Sequence, residues 1–397
     1  MNETPRPFGH PRRLRRQPLL GAALSVAVGA SALALAGATA ATATAASRGG
    51  RLHAPRAATS LVGVCPNPLV IQTSWYPELE KSAVYALVGP NGKYDTAHGY
   101  YYGKVGGITV QVAAGGPFQG NESDIGELYA HPNVFMAEAN TDDQYTNFAQ
   151  HPTVAVLAPL QKSPLGIIWD PKVYHFSSLK QIAASGAQVL KAGQDASSDL
   201  LTVNGTVKAS QWDFTYDGAP GRFVASGGKL LVDDYVTQAP YNYEHFSAWH
   251  GGKLSYLLLA SAGYASYENS LVVTPKTLAT RATCLKRLVP MIQAAEIAFV
   301  KDPTPLSNAL IKYADAIKSQ TPLSTGLDSF TVATMKSLGI LANGTNGVYG
   351  SFNLARVQSF IGSLAPVAKL ENTPVPKGLK ASELVTNRFL DPSLHLP

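Results

Sequence analysis

At 397 residues the chain is longer than a single hydrophobic core usually supports, so two lobes are expected. The formal charge of +6 would suit a nucleic-acid or membrane partner, but the excess is local. Residues 1–64 hold eight arginines against one acid, Glu3, a net of +7, which leaves the remainder at −1. A near-neutral body gives no ground for a nucleic-acid partner, and none is expected.

The basic residues belong to a leader. Arginines 12, 13, 15 and 16 precede an apolar run from Leu19 to Ala38. Small-residue sites follow at Ala38-Thr39-Ala40 and Ala43-Thr44-Ala45. This is the pattern of a signal peptide over residues 1–45. The run also approaches the ~20 residues that span a bilayer, so an uncleaved anchor is the competing reading, and its Ala and Gly content favours cleavage. The paired arginines hint at twin-arginine export, although the residues after them fit that pattern poorly. Leu35-Ala36-Gly37 resembles the start of a lipoprotein box, with Ala38 where the lipidated cysteine would stand. The expectation is an exported protein, extracellular or periplasmic, with a membrane tether left open. Residues 46–64 read as a polar linker, and the fold is expected to begin at Cys65. Cys65 and Cys284 are the only cysteines and both lie in the exported part, which predicts a disulfide.

Beyond the linker, short apolar runs alternate with helical periodicity. Leu69 to Ile71 reads as a strand, followed by the loop Thr73-Ser74-Trp75-Tyr76-Pro77 and a helix carrying Leu79, Ala83, Ala86 and Leu87. The Gly- and Tyr-dense stretch from Gly92 to Gly107 reads as a loop. Ile108 to Val112 alternates as a strand and runs into the turn Ala114-Gly115-Gly116-Pro117. A helix over 122–131 follows, with Asn121 as its cap and Asp124 near its positive end. Strands are predicted at Val134–Ala137 and Val154–Leu157. Ser163-Pro164-Leu165-Gly166 then reads as a crossing into a second lobe. There Ser177-Ser178-Leu179 opens a helix, strands fall at 188–190, 212–216 and 230–232, and Asp217 to Gly221 turns into another helix. An apolar run from Tyr256 to Leu259 precedes a return near Tyr264 and a strand at Leu271–Val273. Thr274-Pro275 caps a helix. Leu285, Leu288, Val289, Ile292, Ala295 and Phe299 recur at helical spacing, with Pro290 expected to bend that helix. Further helices run to about Leu364, and an extended tail ends the chain.

Two segments carry a family resemblance. Tyr235-Val236-Thr237-Gln238-Ala239-Pro240-Tyr241 and Gly263-Tyr264-Ala265-Ser266-Tyr267-Glu268-Asn269-Ser270-Leu271-Val272-Val273-Thr274 resemble the last third of periplasmic binding proteins that serve ABC importers. The nearest in pattern are those for thiamine-pyrimidine precursors, taurine, aliphatic sulfonates and nitrate. The resemblance implies an α/β, bilobal, type 2 binding-protein fold of two α/β lobes joined by two crossing strands. It divides the chain into a first lobe of 65–159 and 268–397, including the C-terminal tail, and an inserted second lobe of 160–267. It further implies a monomer that captures a small-molecule ligand and delivers it to an ABC transporter permease.

Catalytic motifs are missing: the sequence has no G-x-S-x-G, H-E-x-x-H, P-loop or G-x-G-x-x-G, and its nine His are dispersed. No catalytic residue, metal or cofactor is expected. An enzyme of the same fold that makes the thiamine pyrimidine uses a His shortly after its Trp-bearing first loop and has a later Cys-rich motif. Here Lys81 stands at about the His position and there is no Cys cluster. A secreted enzyme acting on a small heterocycle is therefore the alternative function.

The candidate ligand residues lie at expected loop ends. They are Trp75, Glu80, Gly115 and Gly116 from the first lobe, Asp217, Tyr235, Thr237, Gln238 and Tyr241 from the second, and Tyr264, Tyr267 and Glu268 where the chain crosses back. Trp75 is expected to form one wall, opposite Tyr235, Thr237 and Tyr241. Trp75 could equally be core, Asp217 a helix cap, Tyr241 packing, and Glu78 and Arg222 solvated helix positions. Aromatic faces with carboxylates suit a flat, amine-bearing heterocycle such as a pyrimidine. A sulfonate, taurine or nitrate site would present Arg, Lys or helix amino-termini.

Overall fold

The computed structural model describes residues 59–397. The expected signal peptide and most of the linker lie outside them. Among the described residues no helix is long and apolar enough to cross a membrane. The packed chain starts earlier than expected, since Leu61 is fully buried and its amide donates to the carbonyl of Gly106.

The chain builds two sheets. Strands β1 (Leu69–Gln72), β2 (Lys93–Asp95), β3 (Tyr100–Val105), β4 (Ile108–Ala113), β5 (Val134–Ala139) and β6 (Val154–Leu157) form the first, together with β12 (Ser270–Val273) from much later in the chain. Its order is β2-β3-β4-β1-β5-β12-β6. The central strands β4, β1 and β5 run parallel, and β12 is antiparallel to both its neighbours. The second sheet uses β7 (Leu165–Trp169), β8 (Val189–Leu190), β9 (Trp212–Asp213), β10 (Leu231–Tyr235) and β11 (Ser255–Leu258), in the order β11-β7-β10-β8-β9. Two α/β layers joined through two crossings are the expected bilobal architecture.

One expectation fails at the edge of the first sheet. The stretch read as a loop is the hairpin β2–β3, with Tyr101 buried and Tyr100 and Tyr102 half-buried. Tyrosine serves both faces of β3, which hides the period-2 signal that would have marked it. A smaller miss lies in the second sheet, where the expected strand over 212–216 is only the two residues of β9.

Helices cover the sheets. α1 (Ser82–Val88), α2 (Asp124–Ala130) and α3 (Thr141–Asn147) follow strands of the first sheet. α4 (Ile182–Ser185), α5 (Ala196–Val203), α6 (Gly221–Ala225) and α7 (Ala239–Glu244) belong to the run between the crossings. After β12 come α8 (Pro275–Thr280), α9 (Ala282–Lys301), α10 (Thr304–Ala316), α11 (Thr325–Ser337), α12 (Leu354–Leu370) and α13 (Ala381–Leu384). The caps follow local chemistry. Thr274 accepts from the amide of Thr277, and Ser178 opens the expected helical turn. The helix at 122–131 is capped by Ser123 rather than Asn121, which adopts a positive φ of 63°.

α9 buries Cys284, Leu285, Leu288, Val289 and Ile292 against α1, and Pro290 sits inside it. Cys65 and Cys284 form a disulfide with a Cα–Cα distance of 4.9 Å, across 219 residues of sequence. Closing so long a loop constrains the unfolded chain, with a stabilisation of about 5 kcal/mol in the chain-entropy account. α12 packs on α5 and on α3, so one apolar cluster is shared by elements from both sheets.

Candidate functional site

The parallel strands β1, β4 and β5 direct their carboxyl ends, and the loops after them, to one edge of the first sheet, where α/β folds place ligands. A cavity of about 250 Å3 opens there. Ser74 and Trp75 line it from the loop after β1, Gly116 from the loop after β4, and Glu138 and Ala139 from the end of β5. Glu122 and Asp124 at the start of α2 and Asp143 on α3 complete an acidic wall, and no Arg or Lys lines it.

Trp75 is 38% exposed, and its Nε1 donates to Thr321 Oγ1 at 3.0 Å. The glycines expected beside it have distinct uses. Gly116 has φ +60°, and a Cβ there would collide with the indole ring, so only glycine lets this backbone pass beneath Trp75. A Cβ on Gly115 would strike the carbonyl of Thr73.

Behind the cavity the charges are buried and partly neutralised. Lys81 lies 3.4 Å from Glu138, both side chains 1% exposed, and donates to Ser74 Oγ at 2.6 Å. The Ser74 amide and hydroxyl donate to Glu138 at 2.9 and 3.1 Å. Asp143 accepts from the Asn140 amide at 3.2 Å. Asp124 differs: its Oδ1 is buried and has no hydrogen-bond partner. Burial, and then the charge of Glu138, hold the Asp124 carboxyl well above the usual carboxylate range. Asp143 lines the cavity with its surface open to solvent.

The remaining expected residues gather elsewhere. Glu80 is buried and accepts from Thr237 Oγ1 and from Gln238 Nε2, the latter at 2.9 Å. Tyr235 donates through its hydroxyl to Glu268 at 2.9 Å. Burial lifts Glu78 to about 8 and Glu268 to about 7. These contacts join the turn before α1 and the returning crossing to the end of β10. None of them lines the cavity beside Trp75. Tyr241 stacks on His245 at 3.9 Å between centroids and meets Phe330, while Gly326 leaves room for its hydroxyl.

Tyr264 and Tyr267 are buried in packing. Tyr264 donates to Asp142 at 2.8 Å, and the Tyr267 hydroxyl accepts from the Asn353 amide at 2.8 Å. Asp217 is exposed and accepts from the Ala219 amide, so it shapes a turn, while Pro220 occupies the cap position of α6. Arg222 pairs with Asp213.

The sequence reading missed Glu138, Asp143 and the cavity role of Asp124. Glu138 did carry a signal, being the one acid inside the apolar run of β5. Among the described residues no group of three or more His, Cys, Asp or Glu is arranged to hold a metal ion.

No protein-family model matches the sequence, and no curated protein matches it. Solved structures do. The periplasmic aliphatic sulphonate binding protein SsuA from Escherichia coli is similar at 12% identity and a TM-score of 0.51, over 81% of this chain and 92% of that one. A putative sulfonate ABC transporter's periplasmic sulfonate-binding protein from Methylobacillus flagellatus gives 9% and 0.52, over 82% and 93%. The ligand-binding component of an ABC-type import system from Staphylococcus aureus gives 11% and 0.51, over 82% and 100%. At these identities the fold is what is shared: this chain has the bilobal α/β architecture of type 2 periplasmic binding proteins.

Proposed function

We propose that this chain is an exported solute-binding protein of an ABC importer, which captures a small organic nutrient and hands it to a transporter permease. The observation that carries the reading is the cavity at the carboxyl ends of β1, β4 and β5, with an indole face on one side and carboxylates on the other. Such a site binds and orients. The Ser74 hydroxyl in its lining accepts from Lys81, whose amine is kept charged by Glu138 and so is not free to act as a base, which disfavours a secreted enzyme on the same scaffold.

The ligand we favour is a flat heterocycle of pyrimidine type. Two neighbours are named for sulfonates, but a sulfonate needs cationic or amide donors, and here the buried Lys81 is already paired with Glu138. Trp75, Gly115 and Gly116 are assigned to the ligand site. Glu80, Tyr235, Thr237, Gln238 and Glu268 are assigned to the contact between an inserted lobe, residues 160–267, and the rest. Hinge closure about the two crossings then couples capture to shape.

The deciding experiment is native mass spectrometry of the secreted protein, to identify the small molecule it retains. Calorimetry with that molecule and a search for turnover products follow. A retained small molecule released unchanged supports the reading, and conversion to a product would favour the enzyme instead.

A further inference from the structure

We propose that Glu138 sets the specificity of the cavity beside Trp75: its Oε1 accepts a hydrogen bond from an N–H or O–H on the edge of the captured ring, and a ring without such a donor is rejected. The inference rests on the solute-binding reading and adds to it the residue that selects the solute.

The end of β5 supplies the observation. Glu138 is 1% exposed and lines the cavity. Every donor it receives from the described residues goes to one oxygen. Oε2 accepts from the Ser74 amide at 2.9 Å and from the Ser74 hydroxyl at 3.1 Å, and Lys81 Nζ lies 3.4 Å from it. Oε1 receives none of them. It is not sealed in the interior either: Asp124 Oδ1 is closed to solvent without a partner, and Glu138 Oε1 is not. The surface it keeps opens on the cavity that the residue lines.

The carboxylate is also held still. Lys81, 2% exposed, donates to Ser74 Oγ at 2.6 Å and to Asn269 Oδ1 at 3.4 Å. Oε2 is thus anchored to the loop after β1 and to a side chain that is itself fixed, which keeps Oε1 in one place for a ligand.

Charge and solvation decide what that oxygen takes. Lys81 offsets the charge of Glu138, so the free oxygen needs a donor and not a cation. Before capture, water fills the role. A ring that displaces the water without replacing its hydrogen bond leaves a buried oxygen unpaired, which is the costly outcome. An anion meets the same oxygen with Glu122 and Asp143 beside it and no Arg or Lys in the lining. The cavity, at about 250 Å3, lies below the ~300–1,000 Å3 of drug-sized sites, so one ring fits rather than two.

2-Aminopyrimidine and 2-methylpyrimidine share an outline and differ in the N–H donor, while pyrimidine-2-carboxylate carries a negative charge in the same place. Calorimetry on the secreted protein, stripped of retained solute, should find 2-aminopyrimidine bound roughly tenfold or more tighter than 2-methylpyrimidine, with the carboxylate weakest. Replacing Glu138 alone would strand the charge of Lys81, so the variant pairs Glu138→Gln with Lys81→Met. Its amide oxygen can keep the Ser74 donors while its NH2 turns to the cavity, and the preference for the amino ring should vanish. Equal binding of the amino and methyl rings, tightest binding of the carboxylate, or an intact amino preference in the double variant would overturn the proposal. Should the double variant not fold, the ranking of the three probes on the unaltered protein decides. If no probe binds, the solute identified by native mass spectrometry decides. A ring with an N–H or O–H donor sustains the proposal, an anion or a ring without a donor sinks it while solute binding stands, and no retained solute removes both.

Discussion

Gln238 Nε2 donates to Glu80 Oε2 at 2.9 Å, and Thr237 Oγ1 donates to the other oxygen of the same carboxylate. Thr331 Oγ1 on α11 then donates to the Thr237 carbonyl at 2.8 Å. The turn after β10 is thus held by the turn before α1 and by α11. If residues 160–267 move as a lobe, these are the bonds that keep it shut. Replacing both donors, Thr237→Val with Gln238→Leu, leaves Glu80 buried without partners and should favour the open form. Small-angle scattering of the solute-free variant should give a larger radius of gyration than the unaltered protein. An unchanged radius would place the hinge elsewhere.

Arg356 on α12 reaches both crossings at once. Its guanidinium donates to the carbonyl of Gln161 at 2.5 Å, to Ala265 at 3.0 Å and to Ser266 at 2.9 Å, and lies 3.9 Å from the centre of the Tyr267 ring. A planar fork that serves three carbonyls is a task for arginine and not for lysine. Arg356→Lys should therefore lose most of what Arg356→Ala loses. The expected cost of the alanine variant is about 2–5 kcal/mol, from carbonyls left unpaired in a buried seam. Urea unfolding measures it. Full retention of stability by the lysine variant would show that charge alone is required.

Much of the fold was legible because buried strands read as apolar runs: Leu69–Gln72, Val154–Leu157 and Ser270–Val273 fall close to where those runs lie. The β2–β3 hairpin was not, because its tyrosines face both ways and its glycines mimic a loop. The site was half legible. Trp75 and Gly116 could be found because a strand, a short loop and glycine mark a ligand edge. Asp124 looked like a helix-start residue, which it also is, Asp143 lay in a stretch given no element, and only tertiary packing brings the two beside Trp75. Glu80, Thr237 and Gln238 were read in the sequence as ligand residues at loop ends. Their partners are one another across the two sheets, a pairing that no local pattern records.

Buried acids make stability fall as pH rises. Glu296 on α9 shows the case most simply: it is 1% exposed, accepts from Ser82 Oγ at 2.8 Å, and leaves Oε2 unpartnered near the equally unpartnered hydroxyl of Tyr349. Burial lifts its carboxyl from 4.5 to about 8, against a smaller downward pull from Ser82. The native state then holds a proton that the unfolded chain has lost, so this contribution is complete below about pH 4.5 and gone above about pH 8. Glu78 and Glu268 act in the same sense. Thermal midpoints should decline from pH 5 to pH 8. Glu296→Gln, which cannot ionise, should flatten part of that slope and gain about 2–4 kcal/mol relative to the unaltered protein at the alkaline end. A parallel pair of curves would mean that Glu296 does not titrate in this window.

Trp75 offers the sharpest test of the site. Its indole is 38% exposed, rests against Tyr76 edge-on with 6.2 Å between centroids, and is tethered by one hydrogen bond to Thr321. A core tryptophan would cost about 3–5 kcal/mol on truncation. Trp75, more than a third exposed, should cost less than that, about 1–2 kcal/mol for its partly buried ring and single hydrogen bond. Affinity should respond the other way. Loss of the stacking face should weaken binding by about 1–3 kcal/mol, roughly ten- to a hundredfold, by analogy with base–aromatic stacking. Gly116→Ala is the complementary variant, because its methyl would displace the indole without removing it and its φ of +60° disfavours any side chain. Calorimetry with the retained solute and unfolding of the solute-free protein should therefore diverge for Trp75→Ala: binding falls and the midpoint barely moves. A large loss of stability with affinity intact would make Trp75 a packing residue and remove the cavity's aromatic wall.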